Sequence, residues 1–487
     1  MPCTTILVGK KASYNGSTII SRNDDNPTGS FAIKKYVYVD PAKQPRLYRS
    51  KIGGLSIKLP DNPLPYTCFP TVGDPKHGVW AASGINASDV SMTATETITT
   101  NPRVLGADPL LRGRKAKKGD PLYGGIGEED IVLLVLPYVD SAKEGALRLG
   151  ALLEEYGTYE SNGIAFSDAD SVWWLETIGG HNWIARRVKD DEVVVMPNQF
   201  GLDAFDLSDA YGAKENNLCS ASLKTLIAEG HLNLSLDGSF NPRLAFGSHS
   251  DSDHVYNTPR AWFMGRYLCP RRYKWDGPAA DFTPESDDIP WSFVPERKVT
   301  VEDVKYLQSS HYQGTPYDPY DKNRANPLKN VYRSIGVNRT SLLSIAEIRG
   351  GMDKARRSLM WFSFASNVYN AVVPLYFAKG IPAYFGETSA KIDANRFYWA
   401  NRLIGALSDP HFVAMSNPIE RYQSEMAASL RAVLSATDAK KAVSEADLAA
   451  ANGKIAAIAK KATDALLGEA LYLSSMKMRN GFARSDN

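Results

Sequence analysis

A thiol stands three residues from the start of the chain, at the head of the run Cys-Thr-Thr-Ile-Leu-Val-Gly at 3–9. A cysteine attacks a carbonyl as its thiolate, so a base must take its proton. The seven histidines (His77, His181, His231, His249, His254, His311 and His411) form no recognisable catalytic pattern with it. If Met1 and Pro2 are removed, Cys3 carries a free α-amine with a pKa of about 7.7–8.0. Such an amine suits general-base work at neutral pH and sits on the nucleophile's own residue.

Two strands must position that thiol. Residues 3–9 and 17–23 read as strands and residues 10–16 as the turn between them, so a hairpin is expected. With the turn centred near Ala12 and Ser13, Cys3 lies opposite Asn23, with Arg22 and Asp24 beside it and Asp25 at the strand end. A one-residue slip would exchange the two faces of the ribbon. In this reading Arg22 stabilises the thiolate and Asp25 holds the amine. A packed, inert thiol at the start of a strand is the competing reading of the same residues.

Further along, residues 78–98 read as a β pair around a Gly-Ile-Asn-Ala-Ser turn, 128–157 as helical and 163–196 as a series of strands. Residues 219–229 and 258–268 read as helices and 270–299 as loop. Strands return at 340–348, 358–365 and 371–377. From residue 389 an Ala- and Lys-rich tail has the spacing of two or three helices. Alternating strand and helix blocks imply layered sheets covered by helices, an α+β chain. We expect one domain over 1–388 and a helical C-terminal extension over 389–487 packed on it.

Of the 487 residues, 43% are hydrophobic and 23% charged, an ordinary globular balance. The formal net charge is +2 with no basic cluster, which argues against nucleic acid as a partner. Four dispersed cysteines suggest no disulfide framework. The first residues lack the charge order and apolar length of a secretory signal, and no apolar run of 18 residues occurs. A cytoplasmic protein without membrane contact is expected, with self-association into a homo-oligomer. No HExxH, paired CxxC or EF-hand pattern appears, so neither a metal nor another cofactor is expected.

Several dispersed segments together resemble the bacterial dipeptidase A family of cysteine peptidases. They are residues 3–9, Asn-Gly-Ser-Thr at 15–18, Ser-Arg-Asn-Asp-Asp at 21–25, and Gly-Ile-Asn-Ala-Ser-Asp-Val-Ser-Met-Thr-Ala-Thr-Glu-Thr-Ile at 84–98. Pro-Asn-Gln-Phe at 197–200, Asn-Thr-Pro-Arg-Ala-Trp at 257–262, His-Tyr-Gln-Gly-Thr-Pro-Tyr-Asp at 311–318 and Arg-Thr-Ser at 339–341 complete the set. Secernins, bile salt hydrolase and penicillin V acylase are more distant members of the same superfamily. The resemblance implies the N-terminal-nucleophile hydrolase fold, four layers in the order αββα, and hydrolysis of dipeptides without a cofactor. An amide acylase and a non-catalytic secernin-like protein are the alternatives.

By that resemblance Cys3 is the nucleophile, and Arg22 and Asp25 are its active-site partners. Asn198 matches an asparagine that binds the oxyanion in the acylase relatives, and Arg260 matches their active-site arginine. Where those acylases place a second oxyanion asparagine, this chain has Glu96. An ionised carboxylate cannot donate to an oxyanion, so Glu96 is read as the binder of the substrate's ammonium group; a structural Glu paired with an arginine is the other reading. His311 is read as lining the substrate pocket, against a surface-loop histidine. The aromatic residues Trp173, Trp174 and Trp361 are read as core.

Overall fold

The computed structural model describes residues 3–73, 76, 78–323 and 325–478. Its centre is a seven-stranded antiparallel sheet whose middle strands are β1 (Cys3–Val8) and β2 (Thr18–Asp25). Strand Val193–Met196 flanks β1, and strands Thr340–Ile348, Ser358–Phe364 and Val373–Tyr376 follow from β2 outward. Both faces of this sheet are covered, so β1 and β2 are buried at every position and carry no apolar–polar alternation.

A second, nine-stranded sheet includes Asn162–Ser167, Val172–Ile178 and Asn182–Val188 and packs face to face on the first. Residues Trp173 and Trp174 point to opposite faces of it, as strand geometry requires. The Trp174 ring joins the core between the sheets, and Trp173 joins an outer core under helix Ala142–Tyr156. Helices Phe397–Ser408, Phe412–Asp438 and Glu445–Met476 cover the far side of the first sheet. The order is helix, sheet, sheet, helix: the α+β, four-layer arrangement expected, with three tail helices.

The tail also solves an edge problem. Strand Val373–Tyr376 ends the first sheet, and an open edge would invite pairing with another chain. Asn452, on the last helix, accepts from the Tyr376 amide at 3.0 Å and donates to the Tyr376 carbonyl at 3.0 Å.

The register of the first hairpin differs by one residue from expectation. Cys3 pairs with Asp24 and Thr5 with Arg22. The turn closes late: Gly16 takes a left-handed φ of 80°, and the Asn15 side chain accepts from the Ser17 amide at 3.2 Å. The slip matters, because it puts Cys3, Thr5, Arg22 and Asp24 on one face, toward the second sheet. In the expected register Arg22 would have faced away from the thiol.

Candidate active site

The site forms where β1 begins and β2 ends. Cys3 is fully buried. Its Sγ accepts from Nη2 of Arg22 at 3.1 Å, and the same nitrogen lies 2.5 Å from Oε1 of Glu128. Nη1 of Arg22 donates to the Ala82 carbonyl at 3.1 Å, tying the guanidinium to the second sheet. Asp24 lies 3.4 Å from Arg22 and 2.9 Å from Nζ of Lys34, itself buried. Burial would raise the Asp24 carboxyl, but Lys34 and Arg22 outweigh it and hold it below the usual range.

Burial pushes the Cys3 thiol up to about 12, with Arg22 only partly countering it. At neutral pH the resting group is therefore the thiol, and attack requires a base at the moment of reaction. One residue addresses the position where that base would sit. Oδ1 of Asn198 accepts from the Cys3 backbone nitrogen at 3.2 Å and from Nη2 of Arg260 at 2.8 Å. Two donors converge on that oxygen, and Nδ2 donates to the Thr97 carbonyl at 2.9 Å, so the network sets the amide's orientation. Asn198 thus turns its oxygen to the nucleophile's nitrogen, which orients it, and gives one N–H of its amide group to the Thr97 carbonyl.

All five Arg260 N–H bonds are spent on protein atoms. They go to the Tyr256 carbonyl, the Cys3 carbonyl, Oγ1 of Thr4, Oδ1 of Asn198 and Oδ1 of Asn257. Burial and the neighbouring Arg333 bring this guanidinium down to about 10. It positions the nucleophile's backbone and has no donor left for a ligand.

Asp25, expected to hold the amine, is bonded to Nη2 of Arg333 and, at 2.6 Å, to Oγ1 of Thr340. A β-bulge between Thr340 and Leu342 lies at this strand end. His311 is not brought into the cluster. Its Nδ1 meets Asp318 at 2.7 Å, its ring packs on Tyr320 and Phe412, and it lines a different cleft of about 590 Å³ beside Lys305 and Glu420.

Glu96 is buried on the Cys3 side of β1. Its Oε2 accepts from Oγ1 of Thr5 at 2.8 Å, while Oε1 is buried with no hydrogen-bond partner among the described residues. Burial raises its carboxyl to about 8, against the pull of Arg260 and Arg22. A cleft of about 690 Å³ is lined by the adjacent Thr97, by Asn198 and by Tyr256. The described residues hold no cluster of His, Cys, Asp and Glu fit for a metal ion.

Sequence reasoning missed Glu128, Lys34 and Arg333. Glu128 did leave a trace: Glu-Glu-Asp opens helix Glu128–Val135, whose remaining residues are all apolar, and all eight are buried. Three acids at the head of a buried helix need partners inside the protein.

The model of peptidase family C69 matches residues 2–425 of this chain. A protein named dipeptidase from Bifidobacterium longum (strain NCC 2705) is 49% identical over all of both chains. A probable dipeptidase A from Streptococcus pyogenes serotype M3 (strain SSI-1) is 47% identical, again over all of both. Dipeptidase A from Lactobacillus helveticus is 41% identical over 90% of this chain and 88% of its own. Among solved structures, a conjugated bile acid hydrolase from Clostridium perfringens aligns over 77% of this chain and 92% of its own, with 10% identity and a TM-score of 0.32. From the family match and the full-length relatives, this chain belongs to peptidase family C69.

Proposed function

We propose that the protein is a cysteine dipeptidase whose nucleophile is Cys3 and whose general base is the α-amine that Cys3 bears once Met1 and Pro2 are removed. Met1 and Pro2 lie outside the described residues. The observation that carries the reading is the pairing at Cys3: Arg22 on its sulfur at 3.1 Å and Asn198 on its nitrogen at 3.2 Å. The dipeptidases that match over their full length support the substrate class.

The cycle has two halves. The amine takes the thiol proton, and the thiolate forms a bond to the scissile carbonyl carbon. The C–N bond breaks, and the proton on the amine passes to the departing amino acid. A water then gives a proton to the amine and its oxygen to the thioester carbon; the C–S bond breaks, releasing the first amino acid, and the proton returns to sulfur. Asn198 holds the amine in line, and Arg22 stabilises the sulfur as its charge develops.

Glu96 is the group assigned to the substrate's ammonium. With no cation beside it burial keeps the carboxyl protonated at neutral pH; an ammonium next to its buried oxygen, unpartnered among the described residues, draws it back to the carboxylate, and a free amino terminus is what separates a dipeptide from an N-acyl amide. The same feature disfavours the acylase alternative. Cytoplasmic placement is part of the proposal, supported by Cys3, Cys68, Cys219 and Cys269 all being free thiols. No helix among the described residues is long and apolar enough to cross a membrane.

The test is turnover of a free dipeptide and of its N-acetylated form. The processed enzyme should cleave the first and the Glu96→Gln variant should lose that preference. Equal cleavage of both by the unaltered enzyme would remove Glu96 from the scheme.

A further inference from the structure

Three arginines surround Tyr256, which lines a cleft together with Thr97 and Asn198. The Arg260 and Arg333 guanidinium groups lie 5.3 and 5.1 Å from the centre of the Tyr256 ring, and Nη2 of Arg339 donates to the Tyr256 hydroxyl at 3.1 Å. Their states differ. Arg260 has no donor to spare. Arg333 is committed to Asp25 and the Ser334 carbonyl, with its Nε buried and unpartnered among the described residues. Arg339 meets no carboxylate within ion-pair reach among the described residues, and its Nε is also buried without a partner. An arginine with unmatched charge and spare donors in a half-buried position is a ready partner for a carboxylate, which it grips with two parallel N–H bonds.

The registers place this group relative to the nucleophile. Along β2, Cys3 faces Asp24. Glu96 is held by Thr5, two residues to one side of Cys3 on β1. Arg339 lies on the other side, where its carbonyl accepts from the Asn26 amide at 3.1 Å, two residues beyond Asp24. Two residues of strand span roughly 7 Å. An acceptor for an ammonium and a donor for a carboxylate thus flank the thiol. Thr97, next to Glu96, and Tyr256 line one cleft together with Asn198, and Arg339, which lines a second cleft of about 300 Å³ with Phe31 and Arg402, donates to the Tyr256 hydroxyl.

We propose that Arg339, with Arg333 beside it across Tyr256, binds the C-terminal carboxylate of the substrate and so restricts the enzyme to peptides one residue long beyond the scissile bond. The proposal rests on the dipeptidase reading and specifies how it measures length. A dipeptide places its ammonium on the acyl side and its carboxylate on the leaving side. A tripeptide would push a neutral amide against Arg339 and its charged end past it.

The experiment compares the processed enzyme and its Arg339→Met and Arg339→Lys variants on one dipeptide, on its C-terminal amide and on the tripeptide extended by one residue, with melting temperatures measured in parallel. The unaltered enzyme should prefer the free acid over the amide. Met should lower kcat/KM for the acid by about 10- to 100-fold, the range for a hydrogen bond to a charged group, through KM, and leave the amide within threefold. Lys should recover part of the loss. If the unaltered enzyme cleaves acid and amide equally, or Met keeps the full preference, the carboxylate subsite is wrong while the dipeptidase reading stands. An unaltered enzyme that cleaves none of the three substrates overturns both. Should Met fail to fold, the acid-to-amide ratio of the unaltered enzyme and the Lys variant still decide.

Discussion

Nη2 of Arg22 stands between two acceptors, 3.1 Å from Sγ of Cys3 and 2.5 Å from Oε1 of Glu128. The carboxylate fixes the guanidinium against the sulfur and at the same time adds negative charge that raises the thiol. Its two effects oppose each other, and substitution separates them.

Glu128→Gln should bring the Cys3 thiol pKa down, because a negative charge leaves its surroundings, and yet should lower kcat about tenfold, because Arg22 loses its charged anchor. The pH profile of thiol alkylation measures the first and steady-state turnover the second. A thiol pKa that stays fixed would contradict the predicted fall, and one that rises would show that anchoring Arg22 outweighs the direct charge of Glu128.

Glu96 couples stability to pH in a defined direction. Its carboxyl is raised to about 8 in the folded chain and lies near 4.3 when unfolded. Between those values the folded state holds a proton that the unfolded state has lost, so stability falls as pH rises through the window. Glu96→Gln removes the effect. The variant should melt a few degrees above the unaltered protein at pH 9 and within about one degree of it at pH 4. Equal shifts at both pH values would mean that the Glu96 carboxyl is not raised in the folded chain.

Arg260 acts through the residues that it holds. With every N–H committed, Arg260→Lys cannot rebuild the five bonds, and both Asn198 and the Cys3 carbonyl lose a partner. We expect kcat to fall by about 100-fold, the scale of a misplaced catalytic group, with KM within threefold. A variant with raised KM and unchanged kcat would make Arg260 a substrate contact instead.

The site was legible in part, for physical reasons that differ by residue. Strand patterning alone brought Cys3 and Arg22 to one end of the hairpin, but the register could not be read: the late turn at Gly16 depends on the backbone conformation there, and it set Asp24 opposite Cys3 and turned Arg22 to the same face. Cys3 and Asn198 are 195 residues apart, and the sequence run around Asn198 says nothing of which end of its amide faces the amine. Glu128 and Lys34 come from separate elements that converge only when the two sheets close on each other. The His311 loop shows the opposite failure. Its conspicuous run of aromatic and turn residues serves packing against Tyr320 and Phe412 and a hydrogen bond with Asp318. The layered fold read more easily, because long apolar strands such as Thr340–Ile348 and the Ala-rich tail are strong local signals.

The central claim is that Cys3 acts as an N-terminal residue with its own amine as base. Intact mass and dipeptide turnover, measured on the same preparation alongside Cys3→Ser, test it directly. The account predicts that active enzyme begins at Cys3, that turnover rises in step with the fraction lacking Met1 and Pro2, and that Cys3→Ser is at least about 1000-fold slower, since a hydroxyl is a far poorer nucleophile at such a base. A homogeneous chain that retains Met1 and turns over dipeptides at the full rate would contradict it.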